Sequence, residues 1–235
     1  MNYPHVTSIL SILRKPGLEN WYKTNSAEFC NAESEKGKTI GTLIHKVIQN
    51  HIEKEKIEFE TEYPDEVNNA LKSFFKFKKE HPEFELKKAE LSIVNEKYRY
   101  CGHLDCLAKE KNKPVILDYK TGKAKENDSP IIYPESIYQI SAYVKAYNNI
   151  NLKGNVDRAY ILSLAKDKIA YGLLLISKEV LDEVFNEVFL PCLKIWQYQN
   201  AEGGQNGLNT RSRTRADSKG SRKFGRESDK LPDSF

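Results

Sequence analysis

Six apolar residues, Ile40, Leu43, Ile44, Val47, Ile48 and Ile52, recur at spacings of three and four, which predicts one helix over residues 37–54 with a single buried stripe. His45 falls at the edge of that stripe. Upstream, Thr7 can cap a short helix over residues 8–13, which Pro16-Gly17 then stops. Downstream, Pro64 suits the first turn of a helix whose buried face is Val67, Ala70, Leu71, Phe74 and Phe75, ending at His81-Pro82.

After Pro82 the period changes from helical to alternating. Residues 89–95, 98–108 and 114–121 are short β-rich runs parted by polar turns, the pattern of a three-stranded meander. Helical spacing returns over 134–148, followed by β-rich runs at 156–164 and 169–176. Ser177 can cap a last helix carrying Val180, Leu181, Val184, Val188 and Leu193, kinked or broken near Pro191. This order predicts an α/β domain over residues 1–200, with a central mixed sheet built on the meander and helices on both faces. From Ala201 onward large apolar residues almost vanish and Gly, Ser, Asn and Arg dominate, so a disordered basic tail is expected over 201–235.

At 235 residues the chain suffices for one sizeable core and is short for two. Apolar residues make up 39% and charged residues 30%, and no apolar run approaches the roughly 18 residues of a membrane span. The N-terminus lacks the pattern of a secretory signal, so a soluble protein of the cytoplasm or another intracellular compartment, not secreted and not membrane-bound, is expected. Cys30, Cys101, Cys106 and Cys192 are widely spaced without a CxxC pair, which predicts reduced thiols and no iron–sulfur cluster. The net charge of +4 sits mainly in the tail, where eight basic residues face five acidic ones.

Chemistry enters at Val115-Ile116-Leu117-Asp118-Tyr119-Lys120. Alternation puts Asp118 and Lys120 on one face and Val115, Leu117 and Tyr119 on the other. The preceding run carries Gly102-His103-Leu104-Asp105, and a short turn over 109–113 would bring Asp105 beside Asp118. Two close carboxylates repel unless a cation lies between them, and hard oxygen ligands suit Mg²⁺ or Mn²⁺. Such a cluster can serve phosphodiester hydrolysis, with Lys120 orienting water or stabilising charge on phosphate. The competing reading of an isolated D-x-K is a surface ion pair.

Four motifs occur in order: G-T-L-I-H ending at His45, G-H-L-D ending at Asp105, D-Y-K-T-G from Asp118, and Q-I-S-A-Y from Gln139 to Tyr143. Together they resemble the motif series of RecB-like nucleases of the PD-(D/E)xK superfamily over about 100 residues. The opening V-T-S-I-L with Trp21 also resembles phage and mitochondrial genome maintenance exonucleases. The resemblance implies a PD-(D/E)xK core and Mg²⁺ or Mn²⁺ held by His45, Asp105, Asp118 and the Tyr119 carbonyl. It further implies Lys120 as the catalytic lysine, with Gln139 and Tyr143, which share a helix face, positioning DNA phosphate or the lysine. Glu90 matches an acidic position upstream of the second motif in some relatives. Relatives with an iron–sulfur cluster use a C-terminal cysteine group, where this chain has Cys192 alone.

Each position has a second reading. His45 is a ligand or a half-buried histidine with a backbone partner, Tyr143 a site residue or helix packing, and His103 a support for the site or a cross-strand contact. The expected activity is hydrolysis of DNA, single-stranded or at duplex ends, by an exonuclease of DNA processing, recombination or repair. The alternatives are a structure-specific or restriction-type endonuclease and a non-catalytic DNA-binding or assembly subunit.

Overall fold

The computed structural model describes residues 3–53, 63–125, 130–150 and 155–201. The chain divides into residues up to Leu193, which carry the whole sheet, and those from Lys194 onward, whose described part is helical as far as Asn200. Beyond Ala201 the expected disordered tail lies outside the described residues.

Local signals set the helix ends. The short α1 (Val6–Leu10) begins after His5, which leaves Thr7 inside the first turn and not at the cap. Pro16 starts α2 (Pro16–Thr24) where a stop was expected, because its fixed φ and missing N–H both suit a first helical position. In α3 (Ala27–Ile52) the extended Ser26 caps the helix by accepting the Phe29 N–H, so the helix starts ten residues before Gly37. Helix α4 (Asp65–Glu80) follows Pro64, with Asp65 and Glu66 in its first turn and Lys78 and Lys79 in its last, each opposing the nearer end of the helix dipole. Phe77 takes the buried position expected of Phe75, which is half-buried against His51.

The meander forms from β1 (Phe84–Asn95), β2 (Tyr100–Glu110) and β3 (Lys113–Gly122), all antiparallel. Helix α5 (Pro134–Ile150) then crosses to β4 (Arg158–Ala165), which pairs parallel with β3, and β5 (Tyr171–Ser177) closes the order β1-β2-β3-β4-β5. Because antiparallel and parallel neighbours meet at β3, the sheet is mixed. Val115, Leu117 and Tyr119 pack with Ile44, Val47 and Ile48 of α3 and Phe74 of α4 in one fully buried layer. On the other side Lys120 meets α5, and Tyr100 donates to the Ala142 carbonyl of that helix at 2.8 Å.

The last helical stretch consists of α6 (Lys178–Val184), a π-helical turn over Phe185–Phe189, and α7 (Leu190–Asn200). The irregularity expected near Pro191 sits just before it, where the Leu190 N–H reaches back five residues to Phe185. Leu181, Phe185, Phe189, Cys192 and Leu193 form the buried side, whereas Val180 is exposed. Aromatic rings thus take the role assigned to the valines. All four cysteines are free thiols. Among the described residues no helix is long and apolar enough to cross a membrane.

Candidate active site

Alternation in β3 sends Asp118 and Lys120 to the side opposite the α3/α4 layer. The Asp118 side chain is 1% exposed, and neither carboxylate oxygen has a hydrogen-bond partner of good geometry. Its counter-charge is the Lys120 ammonium, 2.5 Å from Oδ2. Lys120 Nζ also donates to Gln139 Oε1 at 3.1 Å, and Gln139 Nε2 donates to the Tyr143 hydroxyl at 2.8 Å. A lysine can only donate, so it fixes which end of the Gln139 amide faces it. Burial works against the charged lysine, but Asp118 and Asp105 outweigh it and hold the Lys120 pKa above its ordinary value. Burial foremost, with Asp118 behind it, raises the Tyr143 phenol well above its ordinary range and keeps it protonated.

Asp105 arrives from β2 where two strands part. The β2–β3 ladder runs from Glu110↔Lys113 to Cys106↔Leu117, and beyond it the Tyr119 N–H donates to Asp105 Oδ2 at 2.6 Å. A carboxylate thus replaces the next backbone acceptor. Burial first, and the Asp118 charge second, push the Asp105 carboxyl up to about 7, against the pull of His45, Lys120 and the Tyr119 N–H.

From α3, His45 Nδ1 lies 3.6 Å from Asp105 Oδ1 and 3.8 Å from Glu90 Oε1. Burial opposes a charge on the ring, but Glu90, Asp105 and Asp118 together raise its pKa above the ordinary histidine value. His45, Glu90 and Asp105 each offer a ligand atom, and these lie within 4.8 Å of one another. Two carboxylates beside an imidazole, with the Asp118 carboxylate charged nearby, are a donor set that fits a hard divalent cation. A cleft of about 610 Å³, lined by Gly41, Thr42, His45, Lys46, Gln49 and Glu90, opens onto this cluster.

The structure therefore brings together His45, Asp105, Asp118, Lys120, Gln139 and Tyr143. Tyr119 reaches the cluster through its N–H, which donates to Asp105, while its ring is 2% exposed in the core. His103 stays outside the cluster, exposed and stacked on His5 at 5.6 Å. Glu90 was visible in the sequence only as a match to an upstream acidic position. Its backbone lies in the left-handed region, with φ 48°, between the paired Ala89↔Cys106 and Leu91↔Leu104. Neither glycine nor asparagine marks that turn of the strand, so alternation gives no sign of it.

Residues 20–188 match the family described as the PD-(D/E)XK nuclease superfamily. Among solved structures the chain is similar to SSO0001, at 11% identity over 88% of this chain and 85% of that one, with a TM-score of 0.38. It is also similar to a protein of Eubacterium rectale named "Putative exonuclease", at 11% identity over 69% of this chain and 68% of that one, with a TM-score of 0.49. No curated protein matches the chain.

Proposed function

Because the chain belongs to the PD-(D/E)XK nuclease superfamily, we propose that it is a Mg²⁺- or Mn²⁺-dependent deoxyribonuclease of the RecB-like branch, acting on DNA ends as an exonuclease in DNA processing, recombination or repair. The observation that carries the reading is the buried Asp118 carboxylate, ion-paired at 2.5 Å with the half-buried Lys120 and placed beside Asp105. The motif series shared with RecB-like nucleases supports the choice of DNA. The opening segment, similar to genome maintenance exonucleases, supports action at ends.

In this reading His45, Glu90, Asp105, Asp118 and the Tyr119 carbonyl hold the cation. When bound, it supplies Lewis-acid polarisation of the phosphoryl group and makes water more acidic. Lys120, held charged by two carboxylates and aimed by Gln139, orients the attacking water and stabilises charge on the phosphate. Tyr143 fixes Gln139 in turn.

End-labelled linear DNA, closed circular DNA and the Asp118→Asn and Lys120→Ala variants test this with Mn²⁺ and with chelator. Linear substrate is expected to shorten only with metal, and circles to survive. Asp118→Asn should lower the rate by a thousandfold or more, about 4 kcal/mol of barrier. Lys120→Ala should inactivate while keeping Mn²⁺ affinity. An Asp118→Asn rate within about tenfold of wild type would remove the site. Cleaved circles would turn the exonuclease into an endonuclease.

A further inference from the structure

Thr42, Lys46 and Gln49 stand four and three residues apart on α3, so they form one ridge, which walls the cleft leading to His45 and Glu90. The cleft's lining combines Glu90 and the imidazole of His45 with a hydroxyl, an ammonium and an amide from the α3 ridge. Gln49 is partly engaged, donating to Glu53 at 3.3 Å. Lys46 is exposed and, among the described residues, has no carboxylate within ion-pair distance, although nearby Lys36 and Lys38 pair with Glu66 and Glu35. An unpaired ammonium beside a carboxylate cluster that would hold a cation is suited to an anion lying between the two positive charges.

The cleft's size narrows the choice of occupant. At about 610 Å³ it falls within the roughly 300–1,000 Å³ of pockets for drug-sized ligands, room for a nucleotide or two of one strand. Gly41 keeps its rim low. A Cβ there would find Thr121 Oγ1 at 3.8 Å as its nearest neighbour, so the space between α3 and the end of β3 is open only while residue 41 has no long side chain.

We propose that this cleft is the track of a single DNA strand entering the site, with Lys46 holding the phosphate next to the one cleaved. The inference rests on the nuclease reading and adds the strand's path and a positioning residue. Duplex DNA must then present a frayed or single-stranded end.

The test measures binding of fluorescein-labelled oligothymidylate to the metal-free protein by anisotropy at several salt concentrations, and cleavage of the same oligonucleotide with Mn²⁺. Lys46→Ala should raise Kd and KM about tenfold, equivalent to 1.4 kcal/mol, and leave kcat and Mn²⁺ affinity within about twofold. The plot of log affinity against log salt should be shallower by about 0.7, the slope of one single-strand phosphate contact. Lys46→Glu should lose more, Lys46→Arg should recover most of the loss, and Lys76→Ala on the exposed side of α4 should lose nothing. Gly41→Leu should block oligonucleotide while still binding Mn²⁺. Lys46 variants with wild-type Kd, KM and salt slope would overturn the track, as would wild-type protein that binds no oligonucleotide. Binding that depends on Lys46 in a protein that never cleaves would keep the track and remove the nuclease reading instead.

Discussion

His45 touches two carboxylates at 3.6 and 3.8 Å and packs edge-on against the Tyr119 ring, so it has the contacts of both a ligand and a core residue. A ligand's loss weakens metal affinity, whereas a packing residue's loss lowers stability with or without metal. We expect His45→Ala to weaken Mn²⁺ binding in calorimetry by tenfold or more, consistent with a side chain still 26% exposed and only partly packed. An equal fall in melting temperature in chelator and in Mn²⁺, with affinity unchanged, would assign it to the core. Strand alternation and a short turn put Asp105, Asp118 and Lys120 together in the sequence reading, whereas His45 entered it only through the resemblance of its motif, helix periodicity placing it no nearer than the edge of an apolar stripe. Alternation could not reach Glu90. A left-handed glutamate carries a strain of about 1–2 kcal/mol, which surrounding structure must hold and which no residue type advertises.

Strand β2 shows how an element, more than any single residue, sets the site. Gly102 lies against Tyr143 so closely that a Cβ would fall 2.6 Å from Cε1, and Tyr143 is only 4% exposed, with little room to turn. The ring's hydroxyl holds Gln139, which holds Lys120, so a push at Gly102 travels to the proposed catalytic lysine. Gly102→Ala should therefore destabilise by about 1–3 kcal/mol in denaturant melts and slow cleavage, and in a Tyr143→Ala background, itself less stable by about 3–5 kcal/mol, the added Gly102→Ala should cost nothing further. A single variant that melts and cleaves like wild type would show that the contact relaxes freely. Element identity was readable wherever the period was clear, as in the meander and α5. It failed at α2, because Pro16-Gly17 can start a helix as well as end one. It was incomplete at α3, whose first ten residues are held by the Ser26 cap and lack an apolar stripe.

Across the whole molecule, the sheet gathers one carboxylate of the proposed cation site from each strand of its meander, Glu90, Asp105 and Asp118, and α3 adds the His45 imidazole. Without a cation, folding must keep that charge together. Burial and the neighbouring Asp118 push the Asp105 carboxyl up to about 7 in the folded protein, against about 3.9 in an unfolded chain. Between those values the folded state holds a proton that the unfolded state has released, so stability falls as pH rises through the window. His45, raised above its ordinary value, has the same sign: its contribution is full below about 6.5 and is lost as pH rises through its folded pKa. The metal-free protein should thus melt higher at about pH 5.5 than at about pH 8, by an amount on the order of a few kcal/mol. A divalent cation should reverse this order, because it binds the deprotonated ligands of the folded state, stabilising by about 2.7 kcal/mol at a hundredfold excess over Kd. The increment in melting temperature on adding Mn²⁺ should accordingly grow from pH 5.5 to 8 and shrink sharply in Asp118→Asn. A metal-free melting temperature that rises over the same interval, with an increment independent of pH, would mean that these carboxylates and this imidazole do not form the cation site.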